Sequence, residues 1–424
     1  MPTIKRLSGR EILDSRCRPT VLATCVLEDG TTASASVPSG ASTGTGEAFE
    51  LRDRDPRRYL GLGCRRATEN IRGELSAALV GRPFSDQAEV DRTMIATDGT
   101  ESKSRLGANA ILAVSVAYAR ACALSRGIPL YQHFGDMQGS TPNSLPHLTI
   151  NLFSGGKHAG QQVSVQDVLI IPMSAQTIDE VLVSAFDVYQ AAADLILKKY
   201  GMRLLTADEG GLAPPCKSAD EMLGLAVEAI EKAGYIPGKD IFLGVDVAST
   251  HFYKDGVYDL DGEALTSPGM IKAIVRWLDR YPILSVEDGL SENDWENWPG
   301  LRRAIAGRAL TLGDDLLCTN PTRICRAIET NACDALLLKV NQIGTLTEAL
   351  QAYRQARDAG WAITLSVRSG ETEDNWAADL AVGWCAHQFK NGSIRQSERL
   401  AKYNRLLEIE AETRWPLVPW PGRA

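Results

Sequence analysis

The sequence predicts an α/β chain: a (β/α)8 TIM-type barrel over residues 140–424, preceded by a smaller α+β capping domain over residues 1–139. Three observations predict it. At 424 residues the chain exceeds what one small core holds. A tract of turn formers, Gly139 to Pro146 (GSTPNSLP), divides it unequally. Beyond that tract, short apolar runs alternate with amphipathic ones, which implies parallel strands joined by crossover helices.

Taken in order, TVLATCVLEDGTTASASV is two alternating stretches around Glu28-Asp29-Gly30, a hairpin signal. The stretch 37–46 contains SGASTG, whose Gly and Ser content suits a lid. GANAILAVSVAYARACALSRG reads as a helix buried on most faces and ended by Gly127. After the divide come the strands DVLIIP, RLLTADEGG, IFLGVDVA, ILSVEDGL, RALTLGDDL, ALLLKVNQIG and AITLSVRSG. Between them lie helices around 181–199, then SADEMLGLAVEAIEKAG, MIKAIVRWLDRY, TRICRAIETNA and LTEALQAYRQARDAG. About eight strands suit a closed barrel. An open doubly wound sheet is the alternative, but no GxGxxG follows any strand.

A formal charge of −8 argues against a general nucleic-acid or anionic-membrane binder, while a local group of Lys and Arg still suits a small anion. Nine cysteines without a CxxC pair suit neither a disulfide framework nor a zinc site, so reduced thiols in a cytoplasmic protein are expected. The N-terminus lacks the apolar core of a signal peptide, and no run approaches a membrane span.

Several strands end in charge: Asp246, Glu287-Asp288, Asp314-Asp315, Lys339 and Arg368, with Asp208-Glu209 in LTADEGG. Barrels build their sites from such ends. Asp246, Glu287 and Asp314 lie about one strand–helix step apart and are hard oxygen donors suited to Mg²⁺ rather than zinc. Taken singly, each acid would serve equally well as a helix cap or an ion-pair partner. Lys339 interrupts the otherwise apolar ALLLKV, so its charge must be paired or its pKa lowered; lowered, it becomes a general base.

The motifs GREILDSR, SGASTGTGEAFELRD, LGANAILAVS, SGGKHAG, ADEGGLAP, GVDVA, SVED, GDDLLCTNP, LLLKVNQIGTLTE, RSGETED and SERLAKYN occur in this order. From about Gly9 to Glu410 the chain thus resembles the enolase (phosphopyruvate hydratase) family. The resemblance implies two Mg²⁺ per site and a small phosphorylated or phosphonylated carboxylate as substrate. It also implies at least a homodimer. Asp246, Glu287 and Asp314 would ligate the first magnesium and Ser39 the second. Lys339 would remove the proton beside the substrate carboxylate, and Glu209 would act as acid on the departing hydroxyl. Asp167 and His158 complete the catalytic set; Arg368, Ser369, Lys390, Ser39 and Gln166 would bind substrate.

The chain departs from the family at selected positions. Where enolases read Ser-His-Arg-Ser-Gly-Glu-Thr-Glu-Asp, the histidine is Val367. The family's Gln-Glu pair is Gln166-Asp167, the usual lid His or Tyr is Gly46, and an Arg is replaced by Gln396. Metal ligands, base and acid are kept. This points to a retuned hydro-lyase making carboxyphosphonoenolpyruvate, as in phosphinothricin-type antibiotic pathways, with Val367 and Gly46 making room for a larger head group. The alternatives are a housekeeping glycolytic enolase forming phosphoenolpyruvate and a non-catalytic binding protein on the same frame.

Overall fold

The computed structural model describes residues 2–41, 44–201 and 205–422; Ser42 and Thr43 of the expected lid, and Arg203 and Leu204 of RLLTADEGG, lie outside the described residues. Three antiparallel strands open the chain in the order β1-β2-β3: β1 Ile4–Leu13, β2 Pro19–Leu27 and β3 Thr32–Ser36. The hairpin between β2 and β3 turns where expected, with Gly30 at φ +88° and the Thr31 N–H donating to Asp29 Oδ1 at 2.8 Å. The helix Ala108–Ser125 lies against β2 and β3. By length and composition it does reach the range of a membrane span, contrary to the sequence reading, but 83% of it is buried inside the protein. It stops as expected: Gly127 takes φ +66°, and the Ile128 N–H returns to the Ala123 carbonyl.

Eight strands close a barrel in the order β10-β11-β12-β13-β14-β4-β5-β6. These are β4 His147–Ser154, β5 Asp167–Pro172, β6 Ile241–Asp246, β10 Ile283–Glu287, β11 Leu310–Gly313, β12 Ala335–Leu338, β13 Ala362–Ser366 and β14 Gln388–Lys390. A small separate sheet, β7 Tyr253–Lys254, β8 Val257–Leu260 and β9 Glu263–Leu265, follows β6. Five of the helices around the barrel begin at side-chain caps: Thr177, Ser218, Thr266, Asn320 and Thr345 each accept a backbone N–H of the first turn.

The barrel departs from the all-parallel expectation in one strand. β5 runs antiparallel to both β4 and β6. The β4–β5 link carries only a short turn, Gly156–His158, and no crossover helix, so the chain doubles back. Two helices, Ile178–Tyr200 and Ala219–Lys232, then separate β5 from β6. RLLTADEGG is not a barrel strand; its described part is a loop held by single bridges at Thr206 and Leu212. Six of the seven strands read from the sequence stand in the barrel, and the other two places are filled by β4 and β14, which the sequence reading passed over. β4 carries His, Thr, Asn and Ser among its apolar residues although every position is buried, and β14 has only three residues.

The N-terminal elements are tied to the barrel by buried charge. Lys103, 1% exposed, donates to Glu348 Oε1 at 2.8 Å, and Glu348 also closes the N-terminal turn of helix Leu346–Asp358 through Thr345. Glu348→Ala leaves an uncompensated ammonium and is expected to destabilise the protein by about 3–5 kcal/mol, read as a lower denaturation midpoint in urea. Glu348→Gln should recover only part of that loss.

Candidate active site

Strand order dictates what meets at the C-terminal rim of the barrel. Asp246 ends β6, Glu287 ends β10, and Asp314 follows β11, so three carboxylates stand on three consecutive strands. Register places Glu287 beside Asp246. Lys339 follows β12; Arg368 follows β13 by two residues; Lys390 ends β14. Reversed β5 begins at this same rim, so Asp167 pairs with Asp246 on one side and Ser154 on the other. β12 and β5 are four steps apart around eight strands, which sets Lys339 diametrically across from Asp167.

Two lysines divide the carboxylates. Lys390 Nζ bridges Asp246 Oδ2 at 2.8 Å and Glu287 Oε2 at 2.6 Å. Lys339 Nζ is paired with Asp314 Oδ2, whose other oxygen accepts from Gln342 Nε2 at 2.8 Å. Burial alone would pull the Lys339 ammonium down, but the Asp314 charge outweighs it and holds the group above its ordinary value. Of the two options the sequence left for this lysine, the structure takes pairing. Burial lifts Asp246 too, yet the Lys390 charge leaves it below its ordinary value, whereas burial and the Asp246 charge push Glu287 well up. Asp288 plays another part: its carboxylate accepts the N–H groups of Asp314 and Asp315 at 2.9 and 2.7 Å and so fixes the turn after β11.

Across the rim, His158 Nδ1 meets Asp167 Oδ2 at 2.8 Å, and its Nε2 lies 3.7 Å from Glu209 Oε1. Ser154 donates to Asp167 Oδ1 at 2.6 Å, and Asn151 donates to Glu209 Oε2 at 3.0 Å. Burial pushes the imidazole down, but Asp167 and Glu209 outweigh it and raise it to about 9. Burial lifts Glu209, but His158, Arg399, Lys390 and Lys339 hold it at about 2. Burial keeps Asp167 above its ordinary value despite the imidazolium.

Elsewhere the expected set is less gathered. Arg368 grips Glu47 with both nitrogens, at 2.8 and 3.2 Å, beside a cavity of about 230 Å³ between the 37–50 segment and the barrel. Ser369 Oγ accepts from Arg16 Nη1 and the Ala41 N–H. Gln166 Nε2 donates to Asp246 Oδ2 at 3.1 Å. The Ser39 hydroxyl is engaged by Glu50 and Arg52 and touches none of the three carboxylates. Neither departure leaves the room expected of it. A Cβ on Gly46 would press into the Arg323 side chain, and the space beside Val367 is about 10 Å³, roughly one water, walled by Pro38, Leu365, Trp376 and Leu380. Residues the sequence reading missed include Asn151, Ser154 and Arg399, which fixes the Arg368 and Ser369 carbonyls at 2.8 and 2.7 Å. All sat inside or beside quoted motifs, but nothing in their spacing pointed inward.

The fold and rim define an α/β-barrel enzyme that sets a lysine against an acid–imidazole pair across a ring of carboxylates. The description Enolase, C-terminal TIM barrel domain matches residues 142–415, and Enolase, N-terminal domain matches residues 4–134. The chain belongs to the enolase family and is a hydro-lyase of the enolase type.

His158 gives a direct test of the rim's electrostatics. Its raised pKa contributes stability that is fully present below the unfolded value of 6.5 and lost as pH rises through about 9. Long-range ¹H–¹⁵N spectra should show both ring nitrogens protonated at pH 7.5. Asp167→Asn, which removes the larger opposing charge, should bring deprotonation down toward neutrality.

Proposed function

We propose that this protein carries out the Mg²⁺-dependent dehydration of a 2-phosphoglycerate-type ester to an enolpyruvate ester. One observation carries the reading: the order of groups around the rim. Three carboxylates occupy one arc, Arg368 and Lys390 the other, and Lys339 faces the His158–Asp167 side across the mouth. A small substrate lying across that mouth meets a base on one face, a proton source on the opposite face and cationic groups at its anionic ends.

The donor set suits a hard divalent cation. All three groups are carboxylates, and Glu287 Oε1 is buried without a hydrogen-bond partner among the described residues, an oxygen left to face a cation. Asp246, Glu287 and Asp314 would hold Mg²⁺, which when bound supplies charge to offset the dianion formed on proton removal. Ser39 is left out of the metal set because its hydroxyl is already engaged.

Lys339 takes the proton beside the substrate carboxylate once Asp314 no longer holds its own proton in place. On the leaving side Glu209 is ionised and His158 protonated, so the pair holds one proton for the departing hydroxyl, resident on the imidazole. Asp167 orients that imidazole through Nδ1. Arg368 and Ser369 take the phosphorus-borne oxyanion; the two oxygens that Glu47 presents to Arg368 have the bidentate geometry a phosphoryl group would use.

A second reading keeps this chemistry and changes the head group to one whose phosphorus bears a carboxyl, giving carboxyphosphonoenolpyruvate. Val367 favours it, because it puts an apolar, buried side chain where the family carries an imidazole, directly before Arg368. The altered polarity supports this reading; the available space does not.

NMR of the purified protein with Mg²⁺ and 2-phosphoglycerate in D₂O separates the readings. Phosphoenolpyruvate formed together with deuterium uptake beside the carboxylate supports the first. Uptake without elimination supports the second. Neither signal, with no Mg²⁺ binding, overturns both. Lys339→Ala should slow uptake by about 10²–10⁴-fold.

A further inference from the structure

Arg16 is a buried cation that no step above uses. Its side chain is 7% exposed, and it makes long ion pairs with Asp14 Oδ2 at 3.5 Å and Asp208 Oδ2 at 4.0 Å. Its closer contacts are to the head-group region. Nη1 donates to Ser369 Oγ at 3.1 Å, Nη2 donates to the Ser39 carbonyl at 2.8 Å, and Nε has no partner among the described residues. Gly370 permits this approach, since any Cβ there would overlap Arg16 Nη2, the Asp14 carboxylate and the Ser39 carbonyl. Ser39 and Gly370 pair backbone to backbone at 2.8 and 2.9 Å, so the base of the expected lid and the head-group turn form one unit around the guanidinium.

The consequence lies in what Ser369 can still do. A hydroxyl has two lone pairs and one hydrogen. Arg16 Nη1 and the Ala41 N–H, at 3.1 and 2.8 Å, fill both acceptor positions. Among the described residues nothing accepts the hydroxyl hydrogen. Ser369 is thereby left as a donor only, and a cationic donor to its oxygen polarises the O–H and strengthens that donation.

We propose that Arg16 is a positioning residue for substrate binding: with the Ala41 N–H it commits the Ser369 hydroxyl to donate to the phosphorus-borne oxyanion. This rests on the assignment of Ser369 to the head group made above. Arg16 works through Ser369.

The test is a double-mutant cycle read by calorimetry with Mg²⁺ present, using 2-phosphoglycerate and inorganic phosphate as probes, so that no turnover is needed. Arg16→Met is expected to weaken both ligands about tenfold or more, with Mg²⁺ affinity unchanged. In a Ser369→Ala background the same change should cost less than about twofold, because the hydroxyl it orients is gone. Equal losses in both backgrounds would make Arg16 a structural cation and overturn the proposal. Arg16→Lys keeps charge and bulk but cannot serve Ser369 and the Ser39 carbonyl in the same way; it carries the cycle if Arg16→Met does not fold. If Ser369→Ala alone leaves both affinities unchanged, the head-group assignment itself fails and the inference with it, a result distinct from additivity.

Discussion

The structure depends on pairing charges that have been taken out of water. Asp246, Glu287, Asp314, Lys339 and Lys390 are all at most 9% exposed. Each would cost several kcal/mol alone, and the loss is recovered only if partners arrive at fixed positions. Strand register supplies those positions. Glu287 sits beside Asp246, and Lys390 closes the gap to both from across the mouth. A one-residue slip of any of these strands would turn its charge out of the ring and leave the partner unpaired. Barrel closure and site assembly are therefore one event.

The reversed strand shows the same constraint at work. A parallel β5 would bring a C-terminal end to the rim; the antiparallel one brings its first residue, Asp167, there instead. That lets a short Gly-rich link carry His158 directly from β4 to the rim, with Ser154 and Asp167 closing on each other at 2.6 Å. The Glu209 loop then needs no strand of its own. It is held by Asn151 from β4, by its single bridges to Leu212 and by the Asp208 N–H donating to the His158 carbonyl. The proton-bearing half of the rim is built from one hairpin and one loop.

Much of this was legible in the sequence. Alternation gave the barrel, and charged strand ends gave its rim, because an acid or lysine at the end of an apolar run stands out. The direction of β5 was not legible, since antiparallel and parallel buried strands read alike as apolar runs. β4 was hidden by its polar residues, whose inward-facing Asn151 and Ser154 serve the site and dilute the apolar signal. Lys339 was found as an anomaly, but only side-chain geometry could decide between pairing and a lowered pKa. Arg16 was invisible for a related reason: nothing in a DSR tripeptide tells that its guanidinium reaches a serine 353 positions away.

Pairing also changes what the retained residues mean. Losing any one of the five rim charges would strand a buried partner, so packing alone enforces their retention in any descendant of this fold. Their presence shows that the rim still folds. Function is better read from features that the pairing of rim charges does not explain. Glu287 keeps an oxygen facing no donor among the described residues, a standing cost that a cation would remove. Ser369 keeps a hydrogen with no acceptor among the described residues, its oxygen engaged by two donors. His158 is held protonated against its burial, next to an ionised Glu209. By contrast, Val367 and Gly46 have filled surroundings, the small mixed space lined by Trp376, Glu371 and Lys402 and the Arg323 side chain. The departures thus sit in filled surroundings, while Glu287 Oε1 and the Ser369 hydroxyl belong to rim residues, where a cation and an oxyanion would satisfy them.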